Sequence, residues 1–245
     1  MKLVCLNAWG GRMGTAFTDF VVLHKDADVF CFQEIFSNGE SGAYTNLTNI
    51  KNPNPDIFQT LEKVLPSHTG VFCSVHDGIY GIACFIKKNL PILDSGEVYI
   101  YRNDAMDWNH PTMDHTRKMQ WVTLAVPDRD VTVMNLHGFH SPTKIDCPER
   151  LAQARIISTF LESIDGPFIL AGDFNMTLET ESTRVIEKDA RNLIREYGIT
   201  ATRNELYKKS ERYADFIFVS RDISVKSFNV LPDLVSDHCP LILEW

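Results

Sequence analysis

The chain has 245 residues, 44% of them hydrophobic and 23% charged. This is ordinary globular usage; it excludes disordered, collagen-like and coiled-coil proteins, and a chain of this length buries a core without a disulfide or metal staple. With 24 basic and 32 acidic side chains the formal net charge is −8, so the whole-chain basic footprint of a non-specific nucleic-acid binder is missing, while a local basic patch remains compatible.

The first apolar run, Lys2–Asn7, reads as a strand ending in an amide, with Ala8-Trp9 after it. A helical pattern over Thr15–His24 precedes a second strand, Val29–Gln33, whose run ends at Glu34. Phe36–Pro55 has no period, and a helix is expected over Pro55–Leu65. Strands follow at Gly70–Val75, Ile79–Lys87 and Gly96–Tyr101. A second irregular segment, Arg102–Arg117, leads into strands Lys118–Val126 and Val131–His137. Loops this long inside a compact domain are usually functional or mobile. In Pro148–Ser163, Leu151, Ala154, Ile157, Phe160 and Leu161 recur at helical spacing, with Pro148 suited to the first turn, Asp146 or Cys147 to the cap and Gly166 past the end. The remaining elements are strand Phe168–Gly172, helix Ser182–Tyr197, and strands Ala214–Val219, Ile223–Val230 and Cys239–Glu244. Runs that are apolar on both faces suit strands covered on both sides. With no linker and no repeat, residues 1–245 read as one layered α/β domain.

The six cysteines, at 5, 31, 73, 84, 147 and 239, form no CxxC pair and no zinc-finger spacing with histidine. They read as buried free thiols of a reducing compartment. No run approaches the ~20 apolar residues of a membrane span. The run Leu3 to Leu6 is too short for a signal-peptide core. A soluble, cytoplasmic protein is expected. No protein partner is evident, and the oligomeric state is not legible.

The chemistry-bearing segments stand at strand ends: Asn7; Gln33-Glu34; Asn135-Leu136-His137; Gly172-Asp173-Phe174-Asn175; and Ser236-Asp237-His238. Taken singly, each is a common turn or cap. Asp215 differs, because Phe216, Ile217 and Phe218 follow it. A carboxylate so placed needs a partner, and His238 is the natural one. Carboxylates and amides are hard donors that suit Mg²⁺ or Mn²⁺ rather than zinc. An Asp–His pair orients the ring. Hard cation, histidines and amides together suit attack of water on a phosphorus ester.

The ordered set Asn7, Glu34, His137, Gly172-Asp173-Phe174-Asn175, Asp215 and Ser236-Asp237-His238 resembles the endonuclease/exonuclease/phosphatase family of DNase I-like, Mg²⁺-dependent phosphoesterases. The resemblance runs from Asn7 to His238. It implies a four-layer α/β sandwich, two packed mixed β-sheets flanked by helices. It also implies that Glu34 is the principal Mg²⁺ ligand, with Asn7 and Asp237 close by, directly or through water, and with Mn²⁺ as a substitute. Asp173 and Asn175 would position water and a phosphate oxygen, and His137 would bind or protonate on the phosphate side. His238, held by Asp215, would touch the scissile phosphate or act as general base; Asp173 is the other general-base assignment. One metal or two fit equally.

Lys144 and Arg117 are the candidate substrate contacts, the first for a distal phosphate and the second for a phosphate oxygen. Their bland readings are a solvated loop lysine and a capping loop. Trp108, His110, His115 and Lys118 cluster near Arg117 as a possible cleft wall. His140 lies in the same post-strand segment as Lys144, where Arg150 and Gln153 open a helix as edge packing. Trp9 and Phe139 are aromatics that either stack substrate or pack core. The doublets Lys87-Lys88 and Lys208-Lys209 read as solvated surface.

A phosphodiesterase or nuclease acting on nucleic acid or a nucleotide is the first expectation. The charge of −8 and the lack of a basic stripe argue against a long duplex. Small-molecule or lipid-headgroup phosphatases and phosphodiesterases, such as inositol-phosphate or sphingomyelinase types, are the alternative. An inactive binding module is the remote one, since no expected site residue is missing.

Overall fold

In strand β1 (Lys2–Asn7), Leu3 and Cys5 point one way and Val4 and Leu6 the other, and both sets are buried. That alternation sets the layering. Leu3 and Cys5 join Cys31, Cys84, Val133 and Leu170 between two sheets. Val4 and Leu6 join Phe30, Phe32 and Phe85 beneath the helical residues Phe17, Phe20, Ile57 and Leu61. The computed structural model describes residues 1–39, 50–106, 114–127 and 129–245.

One sheet has the order β11 (Ser227–Val230), β12 (Leu241–Glu244), β1, β2 (Val29–Phe36), β4 (Tyr80–Lys87), β3 (His68–His76). The other runs β5 (Ile92–Tyr101), β6 (Arg117–Val126), β7 (Arg129–His137), β8 (Phe168–Asp173), β10 (Asp215–Val219), β9 (Arg191–Asn192). Each is mixed, with one parallel pair at its centre: β1 with β2, and β7 with β8. Helices α1 (Thr15–Leu23) and α2 (Ile57–Val64) cover the first sheet. Helix α3 (Pro148–Glu162) and α4 (Glu181–Glu187) cover the second, burying Ala154, Ile157, Leu161 and Ile186. This is the expected four-layer α/β sandwich.

The sheets are also tied by polar groups. Gln33 Nε2 donates to Asn135 Oδ1 at 2.7 Å, and Asn135 Nδ2 donates to the carbonyls of Phe32 and Ala83 at 3.0 and 3.1 Å. These buried bonds fix the two central parallel pairs against each other, and both pairs end at the same edge of the sandwich.

All eleven predicted strands form. The predicted helix Ser182–Tyr197 does not run through. It is α4, the short strand β9, and α5 (Leu193–Glu196). Asn192 breaks it: its side chain accepts from the backbone N–H of Ile194 and Arg195, capping α5, while its backbone pairs with Phe218. Asp146 is not the cap of α3, which Cys147 supplies; its carboxylate takes the N–H groups of Glu181 and Ser182 and caps α4 instead. Residues 40–49 and 107–113 of the two irregular segments lie outside the described residues, and Trp108 and His110 with them.

Candidate active site

The parallel pairs bring the polar strand ends together. Asn7 lies opposite Gln33 in register, His137 opposite Asp173, and Asp215 opposite Asp173 on the other side. Glu34 enters by a local irregularity. The register of β2 against β4 shifts between Phe32 and Ile35, and Glu34 takes a φ of 56°. Such a bulge re-aims a side chain. Trp9 and Asn175 also have positive φ, 49° and 54°. Left-handed non-glycine residues cost about 1 kcal/mol or more and gather at functional sites; all three line one pocket.

Gly172 makes the Asp173 turn possible. Its φ is 154°, and a Cβ there would sit 2.2 Å from the Leu136 carbonyl oxygen. No side chain fits between β8 and β7 at this point. Gly172→Ala is expected to lower stability by about 3 kcal/mol. Urea unfolding of the purified variant checks this, and an unchanged midpoint would refute the tight strand contact.

Asn7 Nδ2 donates to Glu34 Oε1 at 3.1 Å and to Asp173 Oδ2 at 3.0 Å, while its Oδ1 accepts the Trp9 N–H at 2.9 Å. Asn7 therefore orients the two carboxylates, and a contact of its oxygen with an ion requires the amide to turn. The outer oxygen of Glu34, Oε2, is buried with no hydrogen-bond partner, and so is Asp237 Oδ1. The other Asp237 oxygen accepts from Arg203 at 2.8 Å. Ligand atoms of Glu34, His137 and Asp173 lie within 4.8 Å of one another, as do those of Asp173, Asp215 and His238. Asp237 belongs to neither group but lines the same pocket; the buried, unpaired Glu34 oxygen beside Asp173 fits a divalent cation. Burial, reinforced by Asp237 and Asp173, pushes the Glu34 carboxyl up to about 7, and a cation relieves that cost.

The two histidines are held differently. His238 Nδ1 lies 2.8 Å from both Asp215 oxygens. Its Nε2 faces Asp173 Oδ2 at 3.7 Å and Asp237 Oδ1 at 3.8 Å. Burial and the nearby Arg203 guanidinium push the imidazole down to about 4. The ring is neutral near pH 7, with its Nδ1–H donated to the Asp215 carboxylate and an open lone pair on Nε2. For His137 the arrangement is reversed. Arg117 donates to its Nδ1 at 3.0 Å, and arginine has no acceptor, so the proton of the neutral ring is on Nε2. That atom points toward Asp173 Oδ2 at 3.6 Å and Glu34 Oε1 at 3.8 Å. Burial and the Arg117 charge hold His137 well below its usual range. His137 is a neutral donor rather than an acid that gives up a proton.

Arg117 itself corrects an expectation. It is 1% exposed and sits behind His137, bonded to that ring and to Tyr80. It does not line the pocket and cannot meet a phosphate; it fixes the tautomer of His137. His115 and Lys118 are likewise engaged elsewhere. His115 is buried edge-on to Tyr80, and Lys118 pairs with Glu97 at 2.5 Å. Phe139 packs on Tyr101 with ring centroids 4.5 Å apart, the bland reading.

Lys144 does line the pocket and is buried, donating to Asn175 Oδ1. Arg150 and Gln153, expected as edge packing, are buried loop clamps. Arg150 donates to the Ile145 and Thr143 carbonyls and Ser141 Oγ, and Gln153 Oε1 accepts the Phe139 N–H at 2.7 Å. Together they shape the loop that delivers Lys144. Burial pushes the Lys144 ammonium down to about 8. Its charge is present below that pH and lost above it. If Lys144 meets substrate, kcat/KM falls as pH rises through about 8, and Lys144→Met loses that limb along with about 10- to 100-fold of the neutral-pH value. A pH profile of both proteins checks this; the same limb in the variant would assign it to another group.

Three polar pocket residues were not singled out from sequence, or were read as surface: Arg203, Tyr207 and Lys209; the apolar Ile50 lines it as well. The 199–212 segment has no apolar period to fix its place. Its position comes from Arg203 bridging to His238 and from Asn204 Nδ2 donating to the Ser236 carbonyl at 2.8 Å. Tyr207 lies under the Arg203 guanidinium at 4.2 Å, and Trp9 under Arg12 at 3.9 Å; both aromatic residues line the pocket.

Comparison with known proteins bears on the family and the fold. The model of the endonuclease/exonuclease/phosphatase family matches residues 6–238. No curated protein matches the chain. Among solved structures, the Bacteroides thetaiotaomicron mannosyl-6-phosphatase Bt3783 superposes with a TM-score of 0.75 at 20% identity, over 100% of this chain and 98% of that one. D. rerio TDP2 complexed with a single-strand DNA product gives 0.72 at 16%, over 99% and 97%. A functionally unknown conserved protein from Enterococcus faecalis gives 0.72 at 19%, over 100% and 98%. At these identities the structural likeness speaks for the fold; the match of the family model over nearly the whole chain shows that this protein belongs to the endonuclease/exonuclease/phosphatase family, a family of metal-dependent phosphoesterases.

Proposed function

We propose that this chain is a Mg²⁺-dependent hydrolase of phosphate esters, with Mn²⁺ as a substitute, in which water attacks phosphorus in line with the leaving oxygen. The observation that carries the reading is His238. Its Nδ1 is tied to Asp215, and its Nε2 opens on the pocket that holds the two unpaired carboxylate oxygens of Glu34 and Asp237. Glu34 and Asp237 would hold the cation, and Asn7 sets the Glu34 carboxylate. Such an ion would withdraw charge from the phosphoryl oxygens and stabilise the leaving oxygen. His238 Nε2 takes the proton from water, and Asp173, beside it, orients that water. His137 Nε2–H, the Asn175 amide and the Lys144 ammonium donate to phosphoryl oxygens.

One structural neighbour is a phosphatase and another holds a single-strand DNA product. Trp9 and Tyr207, which line the pocket, suit stacking of a base or a sugar. Nucleotides, short single-stranded DNA and RNA, and sugar phosphates therefore form the substrate panel, beside duplex DNA, inositol phosphates and sphingomyelin. Hydrolysis of at least one member is expected to fall to background with EDTA and to return with Mg²⁺. Turnover that survives chelation would overturn the reading.

A further inference from the structure

We propose that the pocket takes a terminal, dianionic phosphate in preference to a phosphodiester; this rests on the phosphoesterase reading above. The first argument is charge. Three acids line the pocket, Glu34, Asp173 and Asp237, and three bases, Lys144, Arg203 and Lys209. They cancel. Just behind the wall, Asp215 and Arg117 cancel as well. A divalent cation on the carboxylates leaves the pocket with two positive charges, in a chain whose formal charge is −8. A phosphomonoester carries close to two negative charges at neutral pH and a diester one. The monoester neutralises the loaded pocket, whereas a diester leaves one positive charge uncompensated.

The second argument is where the bases come from. Asn7, Glu34 and Asp237 belong to the first sheet and the loop before β12. Lys144 comes from the loop after β7, and Arg203 and Lys209 from the segment before β10, both on the second sheet. Asp173 ends β8 of that second sheet and Arg203 is tied to Asp237 at 2.8 Å, which leaves Lys144 and Lys209 as the pocket cations with no carboxylate bonded to them. Lys144 donates to the Asn175 amide oxygen and Lys209 makes no ion pair among the described residues, so no carboxylate claims either ammonium. Non-bridging oxygens of a terminal phosphate meet these donors; a second ester arm would put carbon against them.

The third argument is volume. The cavity measures about 130 Å³, below the ~300 Å³ at which sites for whole small molecules begin. It houses a phosphoryl group, with the organic part outside, against the Trp9 and Tyr207 rings.

Calorimetric titration of the Mg²⁺-loaded protein with inorganic phosphate and with dimethyl phosphate reads the preference without turnover. Phosphate is expected to bind about ten-fold tighter or more, the worth of one charge-assisted hydrogen bond. In Lys209→Met, an exposed position where the fold is not at stake, that ratio is expected to shrink several-fold with dimethyl phosphate little changed. Equal affinities in the wild type, or an unaltered ratio in the variant, would overturn the proposal. Kinetics with p-nitrophenyl phosphate and bis-p-nitrophenyl phosphate separate the two levels of the argument. A higher kcat/KM for the diester removes the preference and leaves the phosphoesterase. No metal-dependent turnover of either, nor of any member of the substrate panel above, removes the phosphoesterase reading, and the preference with it.

Discussion

His238→Ala is expected to lower kcat by about 10³- to 10⁴-fold while leaving the protein folded. A positioned general base contributes roughly 10²- to 10⁴-fold. His238 stands at the upper end because its ring is already neutral and aimed: burial pushes it down to about 4, and both Asp215 oxygens hold Nδ1 at 2.8 Å. Among the described residues no other imidazole lone pair in the pocket is so placed. His137 Nδ1 is taken by Arg117, and His140 is a lining residue off the carboxylate cluster. The fold should survive, because the partner left behind can neutralise itself. Burial pushes the Asp215 carboxyl up to about 7, so without the histidine it takes a proton rather than standing as a bare buried charge. His238→Gln, which keeps most of the volume, separates chemistry from packing. Loss of activity in both variants with near-native circular dichroism supports the base. Full activity in either would hand that role to Asp173. Asp215→Asn should lose activity in the same range by releasing the tautomer, with unchanged substrate KM.

These assignments were unevenly legible in the sequence. The strands were plain because runs of Val, Ile, Leu and Phe covered on both faces leave few other readings, and Leu3/Cys5 against Val4/Leu6 bears this out. Of the carboxylates only Asp215 stood out by itself, because an acid leading an apolar run calls for a partner; Glu34 and Asp173 read singly as turn or loop residues and gained meaning from the ordered set that resembles the family. The Asp215–His238 pair followed from that need for a partner alone. Non-local neighbours were not legible. Arg117 looked like a phosphate contact, because nothing near it in sequence shows that Tyr80 and His137 will enclose it. Arg203 and Lys209 sit in a segment without period, whose place depends on pairing with the chain around Asp237-His238. The break at Asn192 was hidden because Leu193 and Ile194 continue the helical spacing of Val185 and Ile186, while the pull of the β10 edge is tertiary.

Glu34→Ala is expected to raise the Mg²⁺ concentration for half-maximal activity by at least about 100-fold and to leave substrate KM at saturating metal within a few-fold. The argument starts from the backbone. Glu34 accepts a φ of 56° within a bulged strand, a conformation that alanine tolerates no better. The strain puts Oε1 on Asn7 and leaves Oε2 buried without a partner. An unpaired buried carboxylate oxygen costs free energy unless an ion or proton meets it. Removing Glu34 therefore removes a cost to the metal-free protein, and metal-free Glu34→Ala should be no less stable than the wild type in thermal unfolding. Mg²⁺ should raise the melting temperature of the wild type and do so much less in the variant, since stabilisation follows the affinity of the folded state. Asp237→Asn is the companion test: its Oδ1 shares the unpaired state, but Oδ2 also anchors Arg203 at 2.8 Å. That variant should weaken both the metal response and the phosphate response, whereas Glu34→Ala weakens the first alone. An unchanged Mg²⁺ titration in Glu34→Ala would remove Glu34 from the metal shell and leave its strained backbone without a function.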